Sequence, residues 1–135
     1  MYHTSKAIGA YHTAQMAAPP LQAVVMLYDG ILTRIARAAE ANRRRDFERQ
    51  FNEVMVAARI VEGLDRSLDM AAGGTVAANL HAFYETIGSG LLRSTGRRYG
   101  ASYLEQLADA VRVTRGAWAE IAGLSPRESS ATGTP

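Results

Sequence analysis

Cysteine is absent from this 135-residue chain. That excludes disulfide staples, thiolate metal sites and a cysteine nucleophile, and it fits a reducing compartment. Long apolar runs are absent as well: none approaches the ~20 residues needed to cross a bilayer. Residues 1–16 carry one lysine and scattered polar side chains but no continuous apolar stretch, so no secretory signal is expected there. The expected location is therefore the cytoplasm, without membrane insertion. Nor is there a strong charge imbalance. The formal charge is +2, and the largest basic cluster, Arg43-Arg44-Arg45, is short for a nucleic-acid face, where charge is concentrated on one side of the domain. What is present is a 47% hydrophobic composition, ordinary for one folded domain with a single core.

Four helical stretches follow from the spacing of apolar residues. Pro19-Pro20 blocks an earlier helix, and proline is tolerated in a first turn, so the first stretch runs from Pro20 to Ala41. Leu21, Val24, Tyr28, Ile31 and Ile35 recur along it every three or four positions. The second runs from Asp46, a candidate N-cap, to Asp69, with Phe47, Phe51, Val54, Ala58, Val61, Leu64 and Leu68 as its stripe. Gly73-Gly74 breaks the pattern, and Thr75 is the expected cap of a third helix carrying Val76, Leu80, Phe83, Ile87 and Leu91. Ser102 and Glu105 have the spacing of a capping box for the fourth, whose stripe is Leu104, Leu107, Val111, Thr114, Trp118 and Ile121 before a stop at Gly123. No strand pattern competes. The expectation is an all-α fold, an antiparallel up-down four-helix bundle over residues 20–123, with a flexible N-terminal arm (1–19) and a disordered C-terminal tail (124–135) rich in Ser, Thr, Gly and Pro. Gly88, Gly90 and Gly116 fall inside helices. Each either weakens its helix by ~1 kcal/mol relative to alanine or permits close helix approach.

Chemistry has little to work with. None of His3, His12 and His81 follows a glutamate at the spacing of a di-iron bundle, and His81 with Glu85 supplies two ligands where zinc takes three or four. No serine-nucleophile motif occurs, and Gly73-Gly74 lacks the lysine of a phosphate-binding loop. No catalysis, metal or cofactor is expected. At 100° per residue, Met26, Met55, Val56, Ile60, Leu92 and Val113 fall away from the core stripe of their helices. They read either as isolated surface apolar residues or as the lining of a groove for a partner helix, with the methionines adapting to it.

Ordered motifs then add a family likeness. Ala10-Tyr11, Pro20-Leu21, Val25-Met26-Leu27-Tyr28-Asp29-Gly30, Ser67-Leu68-Asp69, Gly73-Gly74, Ala78-Asn79-Leu80 with Tyr84, and Ala117-Trp118 together resemble the FliS-type flagellin export chaperones, over about Ala10 to Ala122. The resemblance implies a non-enzymatic cytosolic chaperone. It would bind the C-terminal disordered segment of flagellin, prevent premature polymerisation and support type III flagellar export. Coupled folding of the segment into grooves between helices is the physics implied. The export apparatus is a second candidate partner, and the free protein is expected to be a monomer or weak homodimer. Carried over by motif, Tyr11, Asp29, Asn79 and Tyr84 join Met26, Met55, Val56, Ile60 and Val113 as candidate partner-binding residues. Tyr28, Leu80 and Trp118 also lie on core stripes and are expected to pack inside. The alternative from another class is a small helical regulatory or nucleic-acid-binding domain using Arg43 to Arg45 and Arg97-Arg98.

Overall fold

The computed structural model describes residues 21–96 and 99–123. Four helices follow one another: α1 (Leu21–Arg43), α2 (Phe47–Arg66), α3 (Met70–Arg93) and α4 (Ala101–Ile121). No strand occurs among the described residues. α1 packs extensively on both α2 and α4, α2 packs on α3, and α3 and α4 touch least of these four neighbouring pairs. The short turns at 44–46 and 67–69 and the connection 94–100 make successive helices antiparallel, which closes the up-down bundle. The arm and tail assignments, 1–19 and 124–135, lie outside the described residues.

The stripe expected on α1 is its buried face: Leu21, Val24, Tyr28, Ile31 and Ile35 are all inside, continued by Ala38 and Ala39. The α1–α2 turn is a Schellman motif, in which Asp46 N–H donates to the Ala41 carbonyl and Arg45 N–H to that of Asn42. Arg45 occupies its left-handed position at φ 60°, where glycine is the usual residue. Asp46 then caps α2 as expected, its carboxylate accepting the Arg49 N–H at 3.1 Å.

Two helix starts differ from expectation. α3 begins six residues earlier than expected, with Asp69 in place of Thr75 as its N-cap, because Asp69 accepts the Ala72 N–H at 3.0 Å and so satisfies a donor that an uncapped first turn would leave bare. The glycine break survives as a kink at Gly74 (φ 56°, ψ −133°), a backbone conformation reserved for glycine. α4 has no capping box. Its N-cap is Gly100, and the Ala101 N–H donates instead to Asn42 Oδ1 at 3.0 Å, 59 residues away in sequence. Glu105, freed from that role, pairs with Arg43. At the other end Gly123, at φ 85°, terminates α4 as expected.

The stripe on α2 is partly wrong, and the reason is polar. Val54, Val61 and Leu64 are buried, but Phe47 and Phe51 stand 54% and 50% exposed while Gln50 and Glu53 are nearly covered. Gln50 Nε2 donates to the Ser94 carbonyl, its Oε1 accepts from Asn42 Nδ2, and Glu53 accepts from Arg34 at 3.0 Å. A buried amide or carboxylate with such partners is tolerated where an unpartnered one is not, so the helix turns these residues inward and its two phenylalanines outward.

The centre of the core is aromatic. Tyr28 of α1 donates a 2.8 Å hydrogen bond to the Tyr84 hydroxyl of α3, and its ring lies 6.3 Å from both Tyr84 and Trp118 of α4. This cluster ties α1 to α3, two helices that otherwise face each other diagonally across the bundle.

Candidate functional site

Because α3 and α4 touch least, the seam between them is where the interior stays open. They meet closely at Gly90: a Cβ there would stand 2.7 Å from Leu107 Cδ2 and 3.2 Å from the Tyr103 hydroxyl. This interior glycine therefore serves close approach. Toward the start of α3 the seam becomes a groove of about 290 Å³, walled by Val76, Asn79, Leu80 and Phe83 from one helix and Val113, Thr114 and Ala117 from the other. Its lining is mostly apolar, with Asn79 the one amide. Val113, at its edge, is 77% exposed.

Asn79 and Val113 are thus the two sequence-identified residues that the fold brings together. The rest are distributed around the bundle. Met26 is 71% exposed on α1, one turn before Asp29, whose carboxylate is held by the Arg115 guanidinium of α4 through bonds of 2.6 and 3.3 Å. That hydrogen bond, and secondarily the charge of Asp29, raises the Arg115 pKa against the opposing effect of burial. Asp29 therefore positions α1 against α4. Val56 and Ile60 are half-buried on α2, and Ile60 Cδ1 would lie 3.4 Å from a Cβ at Gly30 of α1. Met55, also on α2, is half-buried.

Tyr84 is a correction. It is 2% exposed, its hydroxyl engaged with Tyr28, so it faces the interior of the bundle and does not line the groove. Tyr11 lies outside the described residues. Val76, Phe83 and Thr114 line the groove although the sequence placed them on core stripes, whereas Leu80 is buried as expected and adds its edge to the groove. The periodicity that marks an inward face does not reveal that the facing helix stands off.

The titratable cluster away from the groove is His81, whose Nδ1 lies 2.7 Å from Asp65 Oδ1 and Nε2 3.4 Å from Glu85 Oε2. No group of three or more His, Cys, Asp or Glu fit to hold a metal ion occurs among the described residues. The Asp65 hydrogen bond, with its charge and that of Glu85 behind it, raises the His81 pKa above its usual value of about 6.5, against partial desolvation. A raised folded pKa gives stability that is complete below about pH 6.5 and disappears as pH rises through the folded value. The stability advantage of the wild type over His81→Gln is therefore expected to be largest below about pH 6.5 and to shrink above it. Paired thermal melts across that range, with an NMR titration of the His81 ring, check this, and a ring midpoint at or below about 6.5 refutes it.

The arginine triplet is drawn into the fold. Arg43 pairs with Glu40 and Glu105, Arg44 pairs with Glu40 at 2.8 Å, and the Arg45 guanidinium lies 5.5 Å over the Phe47 ring. The Arg44 and Arg43 contacts hold the Glu40 pKa below its ordinary value. Ion pairs thus offset the charge of Arg43 and Arg44 but not of Arg45, and Arg97-Arg98, the other arginines of the nucleic-acid alternative, lie outside the described residues. No described helix is long and apolar enough to cross a membrane.

Comparison with known proteins agrees with the motif order. The chain is 29% identical over 133 residues to the flagellar secretion chaperone FliS of Salmonella typhimurium, an alignment spanning 94% of this chain and 96% of that protein. The family profile of flagellar protein FliS matches residues 4–125, which takes in all four helices and the groove between α3 and α4. On that match, this chain belongs to the FliS family.

Proposed function

We propose that this protein is a cytoplasmic flagellar secretion chaperone that captures the C-terminal segment of flagellin, keeps subunits from polymerising before secretion and delivers them to type III flagellar export. The observation that carries this reading is the open, mostly apolar α3–α4 groove beside a filled interior. Apolar side chains of a disordered client enter it and order as they bind, and their burial offsets an ordering cost of about 2–5 kcal/mol. Met26 and Val113 stand exposed on different helices, and Met55, Val56 and Ile60 are half-buried on a third. A client that wraps the bundle meets all of these in succession, which suits an extended segment better than a compact domain. Asn79 supplies an amide to the client backbone, and Tyr11 is assigned a contact from the segment ahead of α1. The action is binding without a reaction; the export apparatus is the second partner, and the free chaperone is a monomer or weak homodimer. Capture assays with full-length flagellin and with flagellin lacking its C-terminal helix test the reading. Binding is expected to be lost with the truncated form, and equal binding of the two sinks the mechanism.

A further inference from the structure

The end of the bundle remote from the α3–α4 groove carries a second concavity that the chaperone reading does not use. It is a cleft of about 700 Å³ between the α1–α2 turn and the α3–α4 connection. Along α3, Leu80 and Thr95 are 15 positions apart, which places the cleft ~20 Å from the groove. Its walls are aromatic: Phe47 and Phe51, both half exposed, and Tyr99, which stacks on Tyr103 at 4.5 Å. Two exposed phenylalanines one helical turn apart, facing a tyrosine across a concavity, form an apolar patch rather than scattered surface residues.

The polar groups of the cleft narrow the occupant. Asn42 and Gln50 line it, but their amides are engaged with each other, with the Ser94 carbonyl and with the Ala101 N–H. A ligand recognised through many hydrogen bonds would find these already taken. Among the described residues of the lining, the charged group is Arg45. It sits at the mouth on a left-handed residue, over the Phe47 ring, and no described carboxylate forms an ion pair with it. Aromatic walls with a cation at the lip fit an apolar side chain flanked by a carboxylate. The chain's own ends do not supply this: residues 1–20 contain no Asp or Glu, and Leu124 and Glu128 follow the far end of α4, a helix ~30 Å long that starts at the cleft, whereas the seven residues from there to Glu128 span at most ~25 Å.

We infer that this cleft docks a short acidic segment of a partner protein, an aromatic or aliphatic anchor seated between Phe47, Phe51 and Tyr99 and a neighbouring carboxylate on Arg45, at a site separate from the α3–α4 groove. The test titrates the isotope-labelled full chain with the capped hexapeptide Gly-Asp-Phe-Leu-Asp-Gly, read by amide chemical shifts. The expected result is saturable shifts at Phe47, Phe51, Gly96 and Gly100. Affinity is expected to fall about tenfold for Phe51→Ala and for the peptide with lysine in place of aspartate, as for truncation of an interface anchor. Arg45→Asn, which suits the left-handed position while removing the charge, keeps the test open should Phe51→Ala not fold, and it is expected to abolish the preference for the acidic peptide. No shifts at millimolar peptide, shifts at Val76 to Phe83 instead, or equal binding of the lysine peptide would overturn the inference. So would concentration-dependent shifts of the same amides without peptide, since a second copy of the chain would then fill the cleft. Flagellin capture plays no part in this readout, so failure of one leaves the other standing.

Discussion

Trp118→Ala is expected to lower the unfolding free energy by about 3–5 kcal/mol, the range for truncating a fully buried aromatic residue. Trp118 is 0% exposed and lies against Tyr28, which in turn hydrogen-bonds Tyr84. Alanine leaves a void where α1 and α4 meet, and the surrounding helices can collapse into it only partly. Small domains are stable by about 5–15 kcal/mol, so the change removes at least about a fifth of the total. With a urea m-value of about 2 kcal/mol/M, the unfolding midpoint drops by about 2 M. Equilibrium urea unfolding measures this directly, and a loss below about 1 kcal/mol would show that the aromatic cluster is not the packing centre of the bundle.

Val113→Glu is expected to act the other way, weakening capture of the flagellin C-terminal segment by about tenfold to a hundredfold while leaving the melting temperature nearly unchanged. Val113 is 77% exposed, so its replacement removes little packing, and glutamate is the better helix former of the two. In the proposed complex, however, the new carboxylate would be covered by apolar client side chains beside Val76, Leu80 and Phe83, and a charge buried without a partner is costly. The affinity loss corresponds to about 1.4–2.8 kcal/mol. Isothermal titration with the client segment, alongside thermal melts, separates affinity from stability. Affinity within about threefold of wild type would remove the α3–α4 groove from the binding surface.

These opposite expectations for two residues five positions apart on α4 show what periodicity can carry. The spacing of Leu104, Val111 and Trp118 identifies an inward face, and all three are buried. The position of Val113 outside that face was legible too. The groove was not. Val76, Phe83 and Thr114 follow the same three- and four-residue spacing as true core residues, and only the looser contact between α3 and α4 leaves their flank open. Tyr84 erred in the other direction: its motif suggested a partner contact, whereas its hydroxyl meets Tyr28 inside the bundle, 56 residues away in sequence.

By itself, the sequence determined the four helices, their order, the cap at Asp46, the stop at Gly123 and the inward face of α1, because apolar spacing and capping side chains act within one or two turns of their own position. The tertiary structure decided which way α2 turns, since Gln50 can be buried only with the Ser94 carbonyl 44 residues on to receive it. It likewise decided that Asn42, rather than Ser102, satisfies the first amide of α4. Whether an apolar residue faces a neighbouring helix or an open groove depends on a distance between two chain segments, and no local pattern encodes that distance.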